Sequence, residues 1–391
     1  MTGDRLLGLA AAVAVAVIAV RGGLSWTPVH SALAVFAAVQ MLTSMLAAPT
    51  WPQGPKFACV YVLGFACFAL AAAWARGGDG ARQGARTWVA VGAVLGVAGA
   101  LIGFFSNLWR TGLLGSGAAL ILRSEPPQVV FAAKVTFQEW NLYSSFLVVA
   151  FALALWSWGS DTTGRRRGWG GVVSVGGIAQ GLVFGLTRAA WVDMAALAAF
   201  WVWARRPAGR RVAALLLLVG LGLLLQAVAI RASPLSFRVL EPVKAGRDRN
   251  VAGRIAISRA TIASWRERPL LGKGAGSNNG LEVRTADGGY LREPWNGNAV
   301  LFVLHDSGVL GLAAFVALLA VVASGGWRAL RRGAGEAPGS VLVPLLAAGV
   351  ALLFAYQFTH GLWLMYPYVY LGLLTASMDR GVPGRDVPAL G

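Results

Sequence analysis

The chain has 391 residues, 57% of them hydrophobic and only 13% charged, against roughly 45–50% and about 25% in soluble domains. Its mean hydropathy is +0.63, and several runs reach the roughly 20 apolar residues that cross a bilayer core of about 30 Å. A soluble globular enzyme is excluded, and the formal charge of +18, raised by arginines in short loops, gives no reason to expect nucleic acid as a partner.

The first apolar run, 6–21, is followed by RGGLSW rather than a cleavage site, so it reads as a span and not as a signal peptide. Further spans are expected near 29–48, 57–75, 88–105, 140–158, 169–187, 189–204, 212–231, 298–323, 340–359 and 361–378. The expected fold is an all-α polytopic membrane protein with about eleven transmembrane helices, within a range of roughly ten to twelve. Four regions follow: 1–136 with the N-terminal spans and a first outer loop, 137–231 with the central spans, 232–297 as a large, partly helical extracytoplasmic loop, and 298–391 with the last spans and a tail. Cys59 and Cys67 fall in one apolar run and read as small hydrophobes, with neither a disulfide framework nor a metal site suggested.

Basic residues set the orientation. Arg76, Arg82 and Arg86 share one short loop, Arg165 to Arg167 a second, Arg205, Arg206, Arg210 and Arg211 a third, and Arg328, Arg331 and Arg332 a fourth. All four lie on one side in the span count, which makes that side cytoplasmic. An odd number of spans places the N-terminus outside, against the weak pull of Arg5. Two long connections, 106–139 and 232–297, then face outward. The first holds an apolar stretch that fits the interface or a partial re-entry. The second is rich in lysine and arginine, which long loops tolerate. It is either a solvated loop touching anionic lipid or a binding region for an anionic substrate.

Arg188, in GLTRAAWVD, stands at the outer end of two spans. A charged group bordering a span either snorkels to the headgroups or faces a polar cavity. As a planar fork of donors it suits phosphate oxygens. In GRIAISRATIASWRERPLLGKG, apolar residues recur at Ile255, Ile257, Ala260, Ile262, Ala263 and Trp265 in a loose helical pattern ended by Pro269. Arg254 is expected at the start of that helix, where free amides also favour anions, while Arg266 and Arg268 near its end face the helix dipole or solvent. The GKGAG that follows lacks a GK[ST] and a strand–loop–helix context, so it reads as a turn re-entering the bundle rather than a nucleotide loop.

Four stretches together carry a family resemblance. SRATIASWRERPLLGKGAGSNNG, preceded by GR, resembles the hallmark of the O-antigen ligase and O-antigen polymerase superfamily. WNGNAVLFVLHDSGVLGLAAFV is similar to its HN-containing segment and following GLLGL, LTRAAWV to its [ST]RxxW-type motif, and FQEWNLYSSFLVVAF to its EPN-type segment. They span roughly 137–375 in the family's order. The resemblance implies a GT-C-like membrane glycosyltransferase of the bacterial inner membrane, acting on the periplasmic or outer face as a polymerase or a ligase. It would take a glycan from a polyprenyl-diphosphate carrier and pass it to a glycan or lipid acceptor, among membrane lipids and with no cofactor, nucleotide sugar or metal ion. Arg188 and Arg254 match the arginines that hold the diphosphate in the family.

One departure from the family pattern bears on the chemistry. Gly297 stands where the family's ligases place a histidine, while Asn298 keeps the asparagine. An acceptor hydroxyl loses a proton during attack, so another group must take it. Glu139 is the first choice, with Asp306, Glu293 and His305 behind it; Glu139 is equally readable as a helix-start charge beside Asn141. His305 and His360 are each more often packed or interface histidines, and His360, Asn141 and Asn298 are also glycan-side candidates. Tyr290, Trp295 and Trp265 offer faces for sugars, Trp295 foremost, while most other tryptophans fit interface belts. A transporter or flippase of an anionic solute or lipid-linked glycan is the alternative, although no internal repeat of the kind transporters show is evident.

Overall fold

The computed structural model describes residues 25–77, 79–110, 140–160, 169–185, 193–194, 197, 249–284, 290–291, 297–335 and 339–379. Its helices are α1 (Pro28–Ala47), α2 (Gly54–Arg76), α3 (Gly80–Arg110), α4 (Trp140–Ser160), α5 (Trp169–Phe184), α6 (Arg249–Trp265), α7 (Ala299–Arg331), α8 (Leu342–Ala355) and α9 (Tyr366–Asp379). The strands β1 (Val283–Arg284) and β2 (Tyr290–Leu291) form a short antiparallel pair. Five helices are long and apolar enough to cross a membrane: Pro28–Ala47, Gly54–Arg76, Gly80–Ile102, Asn141–Trp158 and Ala299–Arg331. The chain is therefore a helical, polytopic membrane protein. The spans expected at 6–21 and 212–231 lie outside the described residues, as does that at 189–204 apart from three positions.

The chain divides into two compact units. Unit 1 comprises Met1–Ala81, Val243–Ala337 and Tyr356–Gly391, and unit 2 comprises Arg82–Pro242 and Pro338–Ala355.

In unit 1, α1 opens with a capping box. Thr27 and His30 each accept from the other's backbone N–H, and Pro28 supplies a preset first turn. α1 packs on α2 and α7, and α2 packs on α9. The α2–α9 seam is close because Gly64 lies under the Tyr368 ring and Gly372 against the carbonyl of Phe68. Small residues are what let membrane helices approach this way. At one end of the unit Arg76 pairs with Asp379 at 3.1 Å and donates to the carbonyl of Ser25 at 2.8 Å, while Arg332 donates to the carbonyl of Met378. Two of the basic clusters thus gather on the last turn of α9. At the far ends of α1 and α2, Ser44 and Trp51 hold residue Ala275 of the long second connection. That connection and the basic cluster therefore occupy opposite ends of unit 1, a helix length of ~30 Å apart for 20 residues.

In unit 2, α4 is apolar on every side and is buried all round, as such helices are, with Tyr143, Leu147 and Phe151 among the most enclosed side chains. It packs on α5 and α8. The Tyr143 hydroxyl donates to the carbonyl of Leu95 at 2.9 Å, which satisfies the ring's polar tip inside an apolar layer.

α7 has 33 residues, a length of ~50 Å, well beyond the bilayer core of ~30 Å. It is broken at Gly308, whose φ of 66° and ψ of −164° interrupt the helix one quarter of the way along.

Candidate functional site

The break in α7 is filled by the glycine-rich loop. Where the helix would use its own carbonyls, the amides of Val309 and Leu310 donate instead to Pro269 (2.9 Å) and Leu270 (3.2 Å). In return, Lys273 and Gly274 donate their amides to the carbonyls of His305 (2.9 Å) and Asp306 (2.8 Å). Gly272 (φ 69°) lies against the backbone of Asp306 to Gly308, and Gly308 against that of Leu270 and Leu271, so a Cβ on either would strike main-chain atoms. The remaining amides are also committed: Ala275 donates to Ser44 Oγ, Gly276 to Asp306 Oδ2 at 2.6 Å, and Asn278 to Asp306 Oδ1 at 3.4 Å. A phosphate cradle needs converging N–H groups turned toward a ligand. Every amide from Gly272 to Asn278 has a partner within the protein, so the loop is the bundle-re-entering turn its sequence implied.

Asp306 is the anchor of this splice. It is fully buried, and its two oxygens accept from two backbone amides, from Ser277 Oγ at 3.3 Å and from His305 Nδ1 at 3.2 Å. A buried carboxylate surrounded by donors holds structure strongly, because removing it leaves those donors unsatisfied. His305, also buried, turns its other nitrogen to Ser264 Oγ on α6, 3.1 Å away. With Asp306 on Nδ1, the proton is assigned there, and Nε2 accepts from the serine.

Arg254 lies elsewhere. α6 begins at Arg249, five residues before the expected start, so Arg254 stands in its second turn and not at the amide-rich N-terminus. The early start went unseen because residues 249–254 carry no apolar periodicity. Arg254 is exposed, and its Nη1 donates to the carbonyl of Phe358 at 2.6 Å, in the turn before α9. Gly297 packs against that same carbonyl and 3.2 Å from Arg254 Nη1, measured from where a Cβ would stand. A side chain at 297 would overlap the Phe358 carbonyl oxygen, so the family's histidine has no room here.

Asn298 caps α7 by accepting from the amide of Leu301 at 3.0 Å and donates to Gln357 Oε1 at 3.1 Å. Both groups of its amide are in use at the same turn that Arg254 grips. His360 is buried with its ring 3.8 Å from that of Phe302, and burial pushes its pKa down to about 3. It is a neutral, packed imidazole and a weak proton acceptor. Trp265 donates to the carbonyl of Pro269 at 3.0 Å, closing the turn that ends α6.

In unit 2, the C-terminal end of α5 meets the first turns of α4: Gly185 lies against Ser144 Oγ. The start of α4 and the residue that follows α5 are thus neighbours at one end of the unit, with Asn141 half-buried there. Arg188, Glu139, Glu293 and Trp295 lie outside the described residues, and Tyr290 is described only as part of β2. Two further residues are given no role by the sequence, although Asp193 closes the quoted stretch GLTRAAWVD. Asp193 is 1% exposed and its Oδ1 has no hydrogen-bond partner among the described residues; an acidic residue inside a span was the available signal. Ser264 gave no signal, since a serine inside a helical pattern reads as filler.

The apolar helices define a polytopic membrane protein, with Arg254 exposed on α6 of the second long connection. Residues 173–316 match the family described as O-antigen ligase, and that segment carries α5, α6, the spliced loop and the first half of α7. That match covers less than half of the chain and shows what this segment is similar to, in keeping with the motif resemblance. No curated protein matches the chain.

Proposed function

We propose that the protein is a membrane glycosyltransferase that moves a glycan from a polyprenyl-diphosphate carrier to a glycan or lipid acceptor, on the outer face of the bacterial inner membrane. The observation that carries this reading is Arg254, held by the Phe358 carbonyl within the segment that matches the O-antigen ligase family. Cleavage of the sugar–phosphate bond leaves negative charge on the departing diphosphate. A guanidinium fixed in advance stabilises that charge more than the ground state, which lowers the barrier. Arg188 is the second guanidinium in this proposal, and the pair would make a metal ion unnecessary. The placement of the second connection and the basic cluster at opposite ends of unit 1 supports an outward-facing reaction.

The proton of the acceptor hydroxyl goes to Glu139 in this scheme. His305 and Asp306 stand apart from the transfer centre, because Ser264, which His305 touches, is ten residues from Arg254 along α6, a rise of ~15 Å. Asn141, Tyr290 and Trp295 are proposed as glycan contacts, whereas Asn298 and His360 shape the turn that Arg254 grips. About eleven spans and a GT-C-like architecture belong to the same proposal.

The test is release of polyprenyl diphosphate from a lipid-linked glycan by the purified protein, with Arg188→Ala and Arg254→Ala alongside. Each variant is expected to lose roughly 10²–10³ in turnover, the usual effect of removing a pre-placed donor. Near-normal turnover in both would end the diphosphate-clamp reading. Translocation of the glycan without bond cleavage would instead favour a flippase.

A further inference from the structure

Ser264, His305 and Asp306 form a constellation that the transfer reaction does not use. Ser264 Oγ is 3.1 Å from His305 Nε2, and His305 Nδ1 is 3.2 Å from Asp306 Oδ1. The histidine and the aspartate are buried, whereas Ser264 is half-buried on the penultimate residue of α6. The charge on Asp306 is itself held by the Gly276 and Asn278 amides and by Ser277. This order of groups, an accessible hydroxyl, a buried imidazole and a fixed carboxylate, is recognised by geometry rather than by sequence position. From it we infer that Ser264 is a base-activated nucleophile for carboxylic esters presented at the outer end of unit 1.

The step balances without a cofactor. Ser264 Oγ bonds to the ester carbonyl carbon as its proton passes to His305 Nε2. The carbon–oxygen bond to the alcohol breaks, and the alkoxide leaves with that proton. Water then attacks the acyl-serine, giving its proton to His305 and releasing the acid, while Ser264 recovers its hydrogen. Asp306 is a positioning residue, fixing the tautomer and offsetting the positive charge that His305 acquires. The charged groups around the imidazole are Asp306, Glu267, which lies within electrostatic reach of it, and the cations Lys273 and Arg268 gathered on Glu267; Tyr61 of α2 faces Asp306 from beneath. An ester on a sugar and an ester on a lipid share this chemistry.

The experiment uses the purified full chain and a fluorophosphonate probe, followed by peptide mapping. Labelling at Ser264 is expected, with loss to background in Ser264→Ala and in His305→Gln. Cleavage of p-nitrophenyl acetate should fall in parallel. Acetate release from glucose pentaacetate would assign the ester to a sugar, and fatty-acid release from phospholipid vesicles would assign it to a lipid. An unlabelled Ser264 in the unaltered protein overturns the inference, as does labelling that persists in a folded His305→Gln. Because labelling needs no glycan donor, its outcome is read separately from that of the transfer assay, in which Ser264→Ala is expected to turn over normally.

Discussion

Two neighbouring parts of the second long connection treat their polar groups in opposite ways. From Pro269 to Asn278 the backbone is spent on the protein itself, with amides and carbonyls spliced into the gap of α7 and around Asp306. Fifteen residues before Pro269, Arg254 is exposed and donates from Nη1 to the Phe358 carbonyl. The glycine-rich stretch looks the more like a phosphate cradle in sequence, yet its amides are committed within the protein, and the diphosphate contact proposed above falls to an arginine instead. Anion binding follows donors that face outward, not glycine content.

The contrast can be broken most forcefully at Gly308. Gly308→Ala places a Cβ against the Leu270 carbonyl at a positive φ, and the expected loss is on the order of 4 kcal/mol or more, seen as failure to elute as a folded species in detergent. Gly297→His, which restores the family's residue, meets the Phe358 carbonyl. It should destabilise by roughly 1–3 kcal/mol and lower turnover instead of raising it. Arg254→Lys keeps the charge and loses the fork. A fall in turnover of roughly 10-fold, ~1.4 kcal/mol of transition-state stabilisation, is expected with an unchanged melting temperature.

Smaller effects sharpen the comparison further. His360 is neutral in the folded protein, with a pKa near 3, against about 6.5 when unfolded. Below about pH 6.5 the unfolded chain binds a proton that the folded chain does not, so its contribution to stability declines steadily as pH falls toward 3. Between about pH 6.5 and 5, where ordinary carboxylates stay ionised, His360→Leu should flatten the fall in melting temperature. At the bottom of the scale, Lys273 holds the Glu267 carboxyl below the usual range. Glu267 is exposed to solvent and Lys273 only half-buried, so Glu267→Ala should leave the melting temperature nearly unchanged.

Much of the helical frame was legible because apolar runs of span length have few other uses: α1, α2, α4, α5, α7 and α8 begin within about three residues of expectation, whereas α9 begins later. Arg254 was legible as a cation on a surface helix, though not the extra turn before it. The break at Gly308 was hidden, because SGVLG reads as small residues tolerated inside a span, and the carbonyls replacing the helix's own come from residues 269 and 270. Ser264 was hidden for the same reason: its partner lies 41 residues away. Gly297 was visible as a departure, and the cause became clear only with the Phe358 carbonyl beside it.

The interrupted seventh helix also bears on biosynthesis. Its outer quarter cannot complete its hydrogen bonds from its own sequence and must find residues 269–274, which leave the ribosome roughly 35 residues earlier. That short separation makes closure cheap, yet it ties completion of this helix to the prior arrival of residues 269–274 at its broken end. A failure to deliver that segment would therefore leave a membrane helix with exposed amides, a ready target for quality-control proteolysis.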